Sequence, residues 1–148
     1  MATGEPVLLG IGEAATRAGV SERALRYYQQ LGLITPSATT PGGLRRYSEE
    51  NLARVARIRE LQDLLGFNLD EIRDVLVSED QLAALRRAYQ DEEVDLARRR
   101  QLMTESLTLQ EGLHATVQAK RAALDHFLKD VETRIGRMRD WLAEHPAP

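Results

Sequence analysis

The sequence predicts a mainly α-helical protein, with a winged helix-turn-helix head followed by a long coiled-coil helix. Three observations predict it. Two short amphipathic segments with a glycine between them lie near the start of the chain, a Gly42-Gly43 turn follows them, and a regularly spaced apolar series runs along the last third. We expect a winged helix-turn-helix domain over residues 1–77 and a helical region over 78–148, with the coiled coil at about 114–145.

The composition excludes several classes of protein. With 148 residues, 43% of them hydrophobic and 29% charged, the chain is long and apolar enough to fold. It has no cysteine, and its three histidines lack the spacing of a helical metal pair, so we expect no metal and no cofactor. No Ser/His/Asp set, paired carboxylates or phosphate loop stands out, so we expect no enzyme.

The sequence shows neither a membrane-spanning segment nor a secretory signal. No apolar run approaches the roughly 18 residues that a membrane-spanning helix needs. The N-terminus lacks the basic and apolar regions of a secretory signal. We therefore expect a cytoplasmic protein with no membrane partner.

The charge is unevenly distributed along the chain. The net charge is −3, but residues 1–47 carry five arginines and three glutamates, which leaves the head at +2 and the remainder at −5. A mildly basic head on an acidic body is compatible with a local phosphate-binding surface.

Two short helices with a tight break form the first segment. We expect the first helix at about Ile11–Ala18, ended by Gly19 in a left-handed conformation, and the second at about Glu22–Leu31, capped by Ser21. On a helical wheel the second helix has an apolar arc of Ala24, Leu25, Tyr28 and Leu31. Its opposite arc carries Arg23, Arg26 and Gln30, with Tyr27 at the edge. That arc is either a nucleic-acid surface or the solvated face of an ordinary amphipathic helix.

A small wing is predicted after these helices. Leu33–Thr35 and Leu44–Tyr47 are the expected strands, joined through the Gly42-Gly43 turn. The wing carries Arg45 and Arg46, and a solvated basic loop is the alternative.

Further helices are predicted from their capping residues. Ser48 caps a third helix over Glu49–Leu65, and Asn68 with Glu71 opens a short fourth helix that ends near Val77. Ser78 with Gln81 then opens a fifth helix over 79–110.

The last third carries a narrow apolar seam with the 4-3 spacing of a coiled coil. Its residues are Val117, Leu124, Leu128, Val131, Ile135, Met138 and Leu142. Such a seam needs a partner helix, so we expect homodimerisation. Packing against helix 79–110 of the same chain is the alternative.

These motifs resemble the MerR family of bacterial transcription regulators. The resemblance covers roughly residues 8–77 and rests on "IGEAATRAGVSERALRYYQQLGLI", "TPGGLRRYS" and "LLGFNLDEIRDVL". It implies a dimer that binds double-stranded promoter DNA at a pseudo-palindromic site and distorts it, which lets RNA polymerase engage. It also implies that the C-terminal helices pair antiparallel.

The resemblance also implies which residues touch DNA. They are Arg17, Ser21, Glu22, Arg23, Arg26, Tyr27, Tyr28, Arg45, Arg46 and Tyr47. One departure is Leu44, which stands where the family's wing often has tyrosine, so an aromatic contact at the wing tip is missing.

The absence of cysteine excludes the family's thiol-based sensors, so the hypothesis is control by a non-thiol small-molecule effector of unknown identity. Aromatic and flexible side chains are typical of such pockets, and the candidates are Tyr89, Met103, Phe127, Met138 and Trp141. Simple packing within the helical region is the alternative for these residues. The alternative function for the whole chain is a coiled-coil protein-interaction module with a vestigial DNA-binding head.

Overall fold

Five α-helices, a π-helical turn and a two-stranded hairpin make up residues 7–147, the part of the chain that the computed structural model describes. In chain order they are α1 (Ile11–Ala18), α2 (Glu22–Gln30), β1 (Ala38–Thr39), β2 (Arg45–Arg46), α3 (Glu49–Arg59), the π-helical turn Glu60–Leu64, α4 (Leu69–Tyr89) and α5 (Leu96–Glu144). The predicted fold class is confirmed, because the chain is mainly helical with a small wing and a long C-terminal helix. Internal contacts divide it into two units, with the division between Val77 and Ser78.

The turn between α1 and α2 is built by Gly19 and Ser21. Gly19 adopts a left-handed conformation with φ 68°, which side-chain-bearing residues rarely adopt. Ser21 caps α2 because its Oγ accepts the Ala24 N–H at 3.0 Å. α1 has the predicted bounds, and α2 ends one residue before the prediction, with Leu31 as its C-cap.

The core of the first unit receives one face of α2. Leu25 and Tyr28 are buried there, and Ala24 and Leu31 are partly buried, as the wheel predicts. The other buried apolar residues of this unit are Leu9, Ala14, Ala15, Leu33, Ile34, Tyr47, Val55, Ile58, Leu61, Phe67, Ile72, Val75 and Leu76. Burial of one face directs the opposite face of α2 away from the core.

The wing is a short antiparallel hairpin in which Ala38 pairs with Arg46 and Thr39 with Arg45. Its turn contains Gly43 at φ 81°, and Leu44 lies exposed beside it. The predicted first strand, Leu33–Thr35, is wrong because Leu33 and Ile34 are both buried in the core. Alternating strand residues cannot both face one core, and Pro36, which lacks an N–H, precedes the hairpin.

The predicted second strand, Leu44–Tyr47, is too long, since β2 contains only Arg45 and Arg46. Tyr47 instead exchanges two backbone hydrogen bonds with Leu9, at 2.8 and 2.9 Å. The base of the wing is therefore tied to the segment before α1.

The third helix is regular for a shorter distance than predicted. α3 ends at Arg59, and the π-helical turn Glu60–Leu64 follows, closed by the Leu65 N–H, which donates to the Glu60 carbonyl at 3.3 Å. The turn keeps Leu61 buried, and Gly66 at φ 63° then redirects the chain.

The helix break predicted at Ser78 is absent, because Ser78 lies inside α4. The helix runs without interruption from Leu69 to Tyr89, and no glycine or proline lies within it, so the Ser78–Gln81 capping pattern has no helix end to act on. The predicted helix over 79–110 is also wrong, because the chain leaves α4 at Tyr89. It begins α5 only at Leu96, where the Asp95 carboxylate accepts the Arg98 N–H at 2.8 Å.

α5 is a single helix of 49 residues that contains the predicted seam. At a rise of 1.5 Å per residue it is about 73 Å long. Leu102 is its buried residue, and most of the apolar side chains beyond it are exposed.

Asn51 is expected to be a stability determinant of the first unit. Its Oδ1 accepts from the Ser48 N–H and the Ser37 hydroxyl, at 3.1 and 2.8 Å, and its Nδ2 donates to the Thr35 carbonyl at 2.8 Å. Asn51→Ala breaks these bonds at a buried position and is expected to lower the free energy of unfolding by about 2–3 kcal/mol in urea titrations. The matched control Asn68→Ala removes an exposed cap of α4 and is expected to cost about 1 kcal/mol. Equal costs for the two variants would contradict the assignment.

Candidate nucleic-acid interface

The outer face of α2 presents two arginines and a tyrosine. Arg23 and Arg26 are exposed, and the Tyr27 side chain is 48% exposed. Arg26 pairs with Glu22 one turn earlier, at 3.3 Å between Nη2 and Oε2. Because both side chains of this pair are about half exposed, it is worth little and a stronger anionic partner can replace Glu22.

A cleft of about 340 Å³ lies between this face and the wing. Its lining is Gly10, Ile11, Arg26, Gly43, Leu44, Arg45, Arg46 and Tyr47. Three arginines from α2 and β2 thus line one cleft beside the first residue of α1, and the described lining includes no carboxylate. Planar guanidinium groups match the oxygens of a phosphate, which makes the cleft suited to an anion.

Gly10 fits closely against the wing. A Cβ at this position would lie 3.0 Å from Arg46 Nη1, so a side chain here would push that guanidinium aside by a few tenths of an ångström. The glycine thereby keeps Arg46 against the start of α1.

Gln29 joins α2 to the wing. In the amide orientation that satisfies both neighbours, Gln29 Oε1 accepts from Arg45 Nε at 2.8 Å and from Arg45 Nη1 at 3.0 Å. Its Nε2 donates to Tyr47 Oη at 2.9 Å. The sequence analysis missed this residue, because a glutamine on a short helix carries no local sign of partners 16 and 18 residues away.

The two buried tyrosines serve the fold. The Tyr47 side chain is buried in the free chain, with its ring in the core and its hydroxyl facing Gln29, so it presents no exposed side-chain surface for the DNA contact that the resemblance implies. Tyr28, which the resemblance also implies as a DNA contact, is 7% exposed, and its hydroxyl donates to Gln62 Oε1 at 3.4 Å. Burial raises the pKa of both phenols above their ordinary value of 10.0. Arg45 and Arg26 partly offset the rise in the pKa of Tyr47.

The remaining predicted DNA-contact residues fall into two groups, those whose side chains bind other protein groups and those that are exposed. The Ser21 side chain is engaged as the α2 cap, and Arg17 forms an ion pair with Glu49 at 2.5 Å. Arg45 is exposed and Arg46 is half-buried. The predicted contacts that remain exposed are therefore Glu22, Arg23, Arg26, Tyr27 and Arg45, and of these Arg26 and Arg45 line the cleft.

Three further arginines, which sequence reasoning did not identify, donate to backbone carbonyls at or just after the ends of the two helices. Arg59 donates to the Gly19 carbonyl at 3.0 Å, Arg73 to the Leu31 carbonyl at 3.1 Å, and Arg54 to the Leu33 carbonyl at 2.9 Å. Carbonyls at a helix C-terminus have no partner within the helix and carry partial negative charge. These side chains therefore hold α1 and α2 in place from α3 and α4.

The candidate effector residues do not come together within one chain. Tyr89 and Met103 line an open cleft of about 400 Å³, in which the Arg99 guanidinium lies 5.8 Å from the Tyr89 ring centroid. Phe127 and Trp141 are exposed elsewhere on α5. A single helix separates Phe127 and Trp141 from Met103 by about 36 and 57 Å at 1.5 Å per residue, so the candidate residues cannot line one pocket within a single chain.

The predicted seam is an exposed stripe on α5. Val117, Leu124, Leu128, Ile135, Met138 and Leu142 all lie between 41% and 65% exposed. Within residues 7–147 no helix is long and apolar enough to cross a membrane, and no group of three acidic or histidine side chains is placed to hold a metal ion.

This combination of a helix-turn-helix, a basic wing and an arginine-lined cleft defines a winged helix-turn-helix protein. Residues 9–79 match the sequence model described as "MerR HTH family regulatory protein", and this segment of the chain belongs to the MerR family. The matched residues are the first unit from Leu9 onward and the two residues that follow it.

The chain is also similar in sequence to individual known proteins. The chain is 39% identical over 127 residues to the nodulation protein NolA of Bradyrhizobium sp. (strain NC92), an alignment that spans 84% of this chain and 53% of NolA. It is 32% identical over 79 residues to the HTH-type transcriptional regulator YfmP of Bacillus subtilis (strain 168), across 53% of this chain and 56% of YfmP. The chain thus spans about half the length of the curated relatives it matches.

One solved structure supports the fold. The N-terminal part of the Bacillus subtilis multidrug transporter activator, MtaN, superposes with a TM-score of 0.55 at 24% identity. The superposition covers 90% of this chain and 97% of MtaN.

Alkaline pH is expected to destabilise the protein through Tyr28 and Tyr47. Both have a higher pKa in the folded chain, so the folded state holds their protons longer than the unfolded state does. Their contribution to stability is complete below pH 10.0 and is lost as the pH rises through the folded pKa. Urea titrations from about pH 8 upward should show the free energy of unfolding falling beyond about pH 10.

Tyr47→Phe should remove part of that alkaline decrease, and Tyr27→Phe, which removes an exposed phenol, is the matched control. The same change of slope in both variants would show that the buried phenol is not responsible.

Proposed function

We propose that this protein is a DNA-binding transcription regulator that recognises duplex promoter DNA as a homodimer. In this proposal α2 enters the major groove and the wing follows the adjacent backbone. The observation that carries the proposal is the convergence of Arg26, Arg45 and Arg46 on one cleft beside the exposed Arg23 and Tyr27. A regulator of this kind acts on chromosomal DNA in the cytoplasm, and we assign it no catalytic activity.

The proposed division of labour follows from side-chain chemistry. Arg26, Arg45 and Arg46 are the proposed phosphate contacts, because all three line the same cleft of about 340 Å³. Arg23 and Glu22, in the first turn of α2, are the proposed base-reading residues. Tyr27 adds a phenol donor at the edge of this face.

The exposed stripe on α5 supports dimerisation. Its 4-3 spacing continues backward from Val117 through His114 and Gln110 to Leu107, Met103, Arg100 and Leu96. Leu96 is 82% exposed, and Met103 and Leu107 are also exposed. A stripe of this length is covered if a second α5 lies along all of it.

The charges in the stripe favour an antiparallel pair. In a parallel, in-register pair Arg100 and Arg121 would each face their own copy, which like-charge repulsion disfavours. In an antiparallel pair with its twofold axis beside Ala119, Arg121 faces Val117 and Leu96 faces Leu142. This register covers both ends of the stripe.

The consequences at the promoter are proposals that rest on the family resemblance. Two heads held by one antiparallel pair bind two half-sites and distort the DNA between them, which alters engagement by RNA polymerase. Distortion of this kind costs about 1–6 kcal/mol. A small change in the angle between the two α5 helices would alter how well both heads fit the DNA at once. An effector without thiol chemistry could therefore control binding by changing that angle.

Arg26→Ala is expected to weaken DNA binding because it removes one phosphate contact. Fluorescence anisotropy on a duplex from upstream of the protein's own gene, repeated over a salt series, should show about tenfold weaker binding. The slope of log K against log salt should fall by about one.

Arg139→Ala, which removes an exposed arginine of α5, is the matched control and should leave both quantities unchanged. If the two variants behave alike, α2 is not the DNA-binding face. If the wild-type chain binds no promoter-length duplex, the coiled-coil interaction module becomes the better interpretation.

Spin labels on α5 are expected to report the antiparallel register. The chain has no cysteine, so Gln118→Cys or Glu132→Cys introduces one label per protomer. With the axis beside Ala119, the two labels of a dimer are separated along the helices by about 3 Å at position 118 and about 39 Å at position 132. Pulsed electron paramagnetic resonance measures the long separation, and dipolar broadening of the continuous-wave spectrum detects the short one.

Other arrangements give different distances. An antiparallel pair centred on residues 114–145 would reverse the order, with about 35 Å at position 118 and about 8 Å at position 132. A parallel pair would give short distances at both positions. The absence of any distance peak would contradict dimerisation through α5.

A further inference from the structure

We infer that Gln29 is a positioning residue that fixes the direction of Arg45 and thereby sets the wing relative to α2. The inference rests on the proposed function, since the purpose of this alignment is to present Arg45 to a DNA phosphate. Gln29 itself touches no DNA in this arrangement, because its amide is occupied by Arg45 and Tyr47.

Gln29 engages two of the three nitrogens of the Arg45 guanidinium. Nε and Nη1 both donate to Gln29 Oε1, at 2.8 and 3.0 Å. Nη2 is not engaged by Gln29, and its hydrogens remain for a ligand in the cleft. Because the guanidinium is planar and rigid, holding two of its nitrogens fixes the direction of the third.

The other end of the Gln29 amide is anchored to a rigid point. Nε2 donates to the hydroxyl of Tyr47, whose ring is fully buried and whose backbone is paired with Leu9. Gln29 therefore connects α2, the base of the wing and the segment before α1. A displacement of the wing would break these contacts together.

The wing needs such an anchor because its own ladder is minimal. Each strand has two residues, and an isolated two-stranded hairpin is marginally stable in water. Without Gln29, Arg45 keeps its charge but samples many rotamers, and this freedom is lost when DNA binds. We expect affinity for promoter DNA to fall about three- to tenfold on this account.

A double-mutant cycle in the full chain tests the inference. Gln29→Leu removes both partners of the amide at similar volume, whereas Gln29→Glu keeps acceptors for Arg45 and for the Tyr47 hydroxyl. Anisotropy on the same promoter duplex should show weaker binding for Gln29→Leu and near wild-type binding for Gln29→Glu. Gln29→Leu should leave the salt slope unchanged, because no phosphate contact is removed, whereas Arg45→Ala should reduce the slope by about one.

The cycle separates positioning from a merely structural role. All variants are measured at a temperature at which circular dichroism shows them folded, with Gln101→Leu on α5 as the matched control. If Gln29 acts through Arg45, Gln29→Leu has no further effect on DNA affinity when Arg45 is already alanine. A full additional loss in that background, or an unchanged affinity for Gln29→Leu alone, overturns the inference.

A second measurement does not depend on DNA. The Arg45 Nε–H resonance of the free protein should be protected from solvent exchange in the wild type and in Gln29→Glu, and unprotected in Gln29→Leu. Equal exchange in all three overturns the inference even if the wild type binds DNA. If the resonance is protected but the wild-type chain binds no duplex, the contact between Gln29 and Arg45 is confirmed. The proposed purpose of that contact and the proposed function are then both contradicted.

Discussion

The placement of α2 is the constraint on which the rest of the head depends. Leu25 and Tyr28 are buried on its inner face, and this burial fixes the rotation of the helix about its axis. Its C-terminal end is held by Arg73 at the Leu31 carbonyl, and Gln29 connects its last turn to the wing. Arg23 and Arg26 face outward because the opposite face is committed to the core.

Arginine has two separate uses in this head. Arg59 and Arg73 donate to backbone carbonyls at the ends of α1 and α2, where their positive charge stabilises the negative end of each helix dipole, and Arg54 donates to the Leu33 carbonyl in the segment after α2. Arg23, Arg26 and Arg45 are exposed, and Arg26 and Arg45 line the cleft. A net charge of −3 conceals this division, because the basic surface is local and most of the acidic residues lie after residue 47.

Local signals predicted the helix-turn-helix well. Ser21 and Gly19 are a cap and a left-handed turn whose effects extend only a few residues, so α1 and α2 are close to their predicted bounds. The wing and the later helices were predicted less well, because both depend on distant partners. Nothing near Tyr47 shows that its ring fills the core, and the capping pattern at Ser78 is overridden by an uninterrupted helix. The arginine caps join residues up to 42 positions apart, which no local pattern encodes.

Hydroxyl-radical footprinting on a promoter duplex tests the central claim most directly, since it reads which backbone positions the protein covers. Two heads held by one α5 pair should protect two backbone segments related by twofold symmetry, with each segment spanning a major groove and its flanking backbone. Both segments should appear together as the protein concentration rises. A single protected segment would contradict the dimer, and uniform cleavage at saturating protein would contradict DNA recognition by this face of α2.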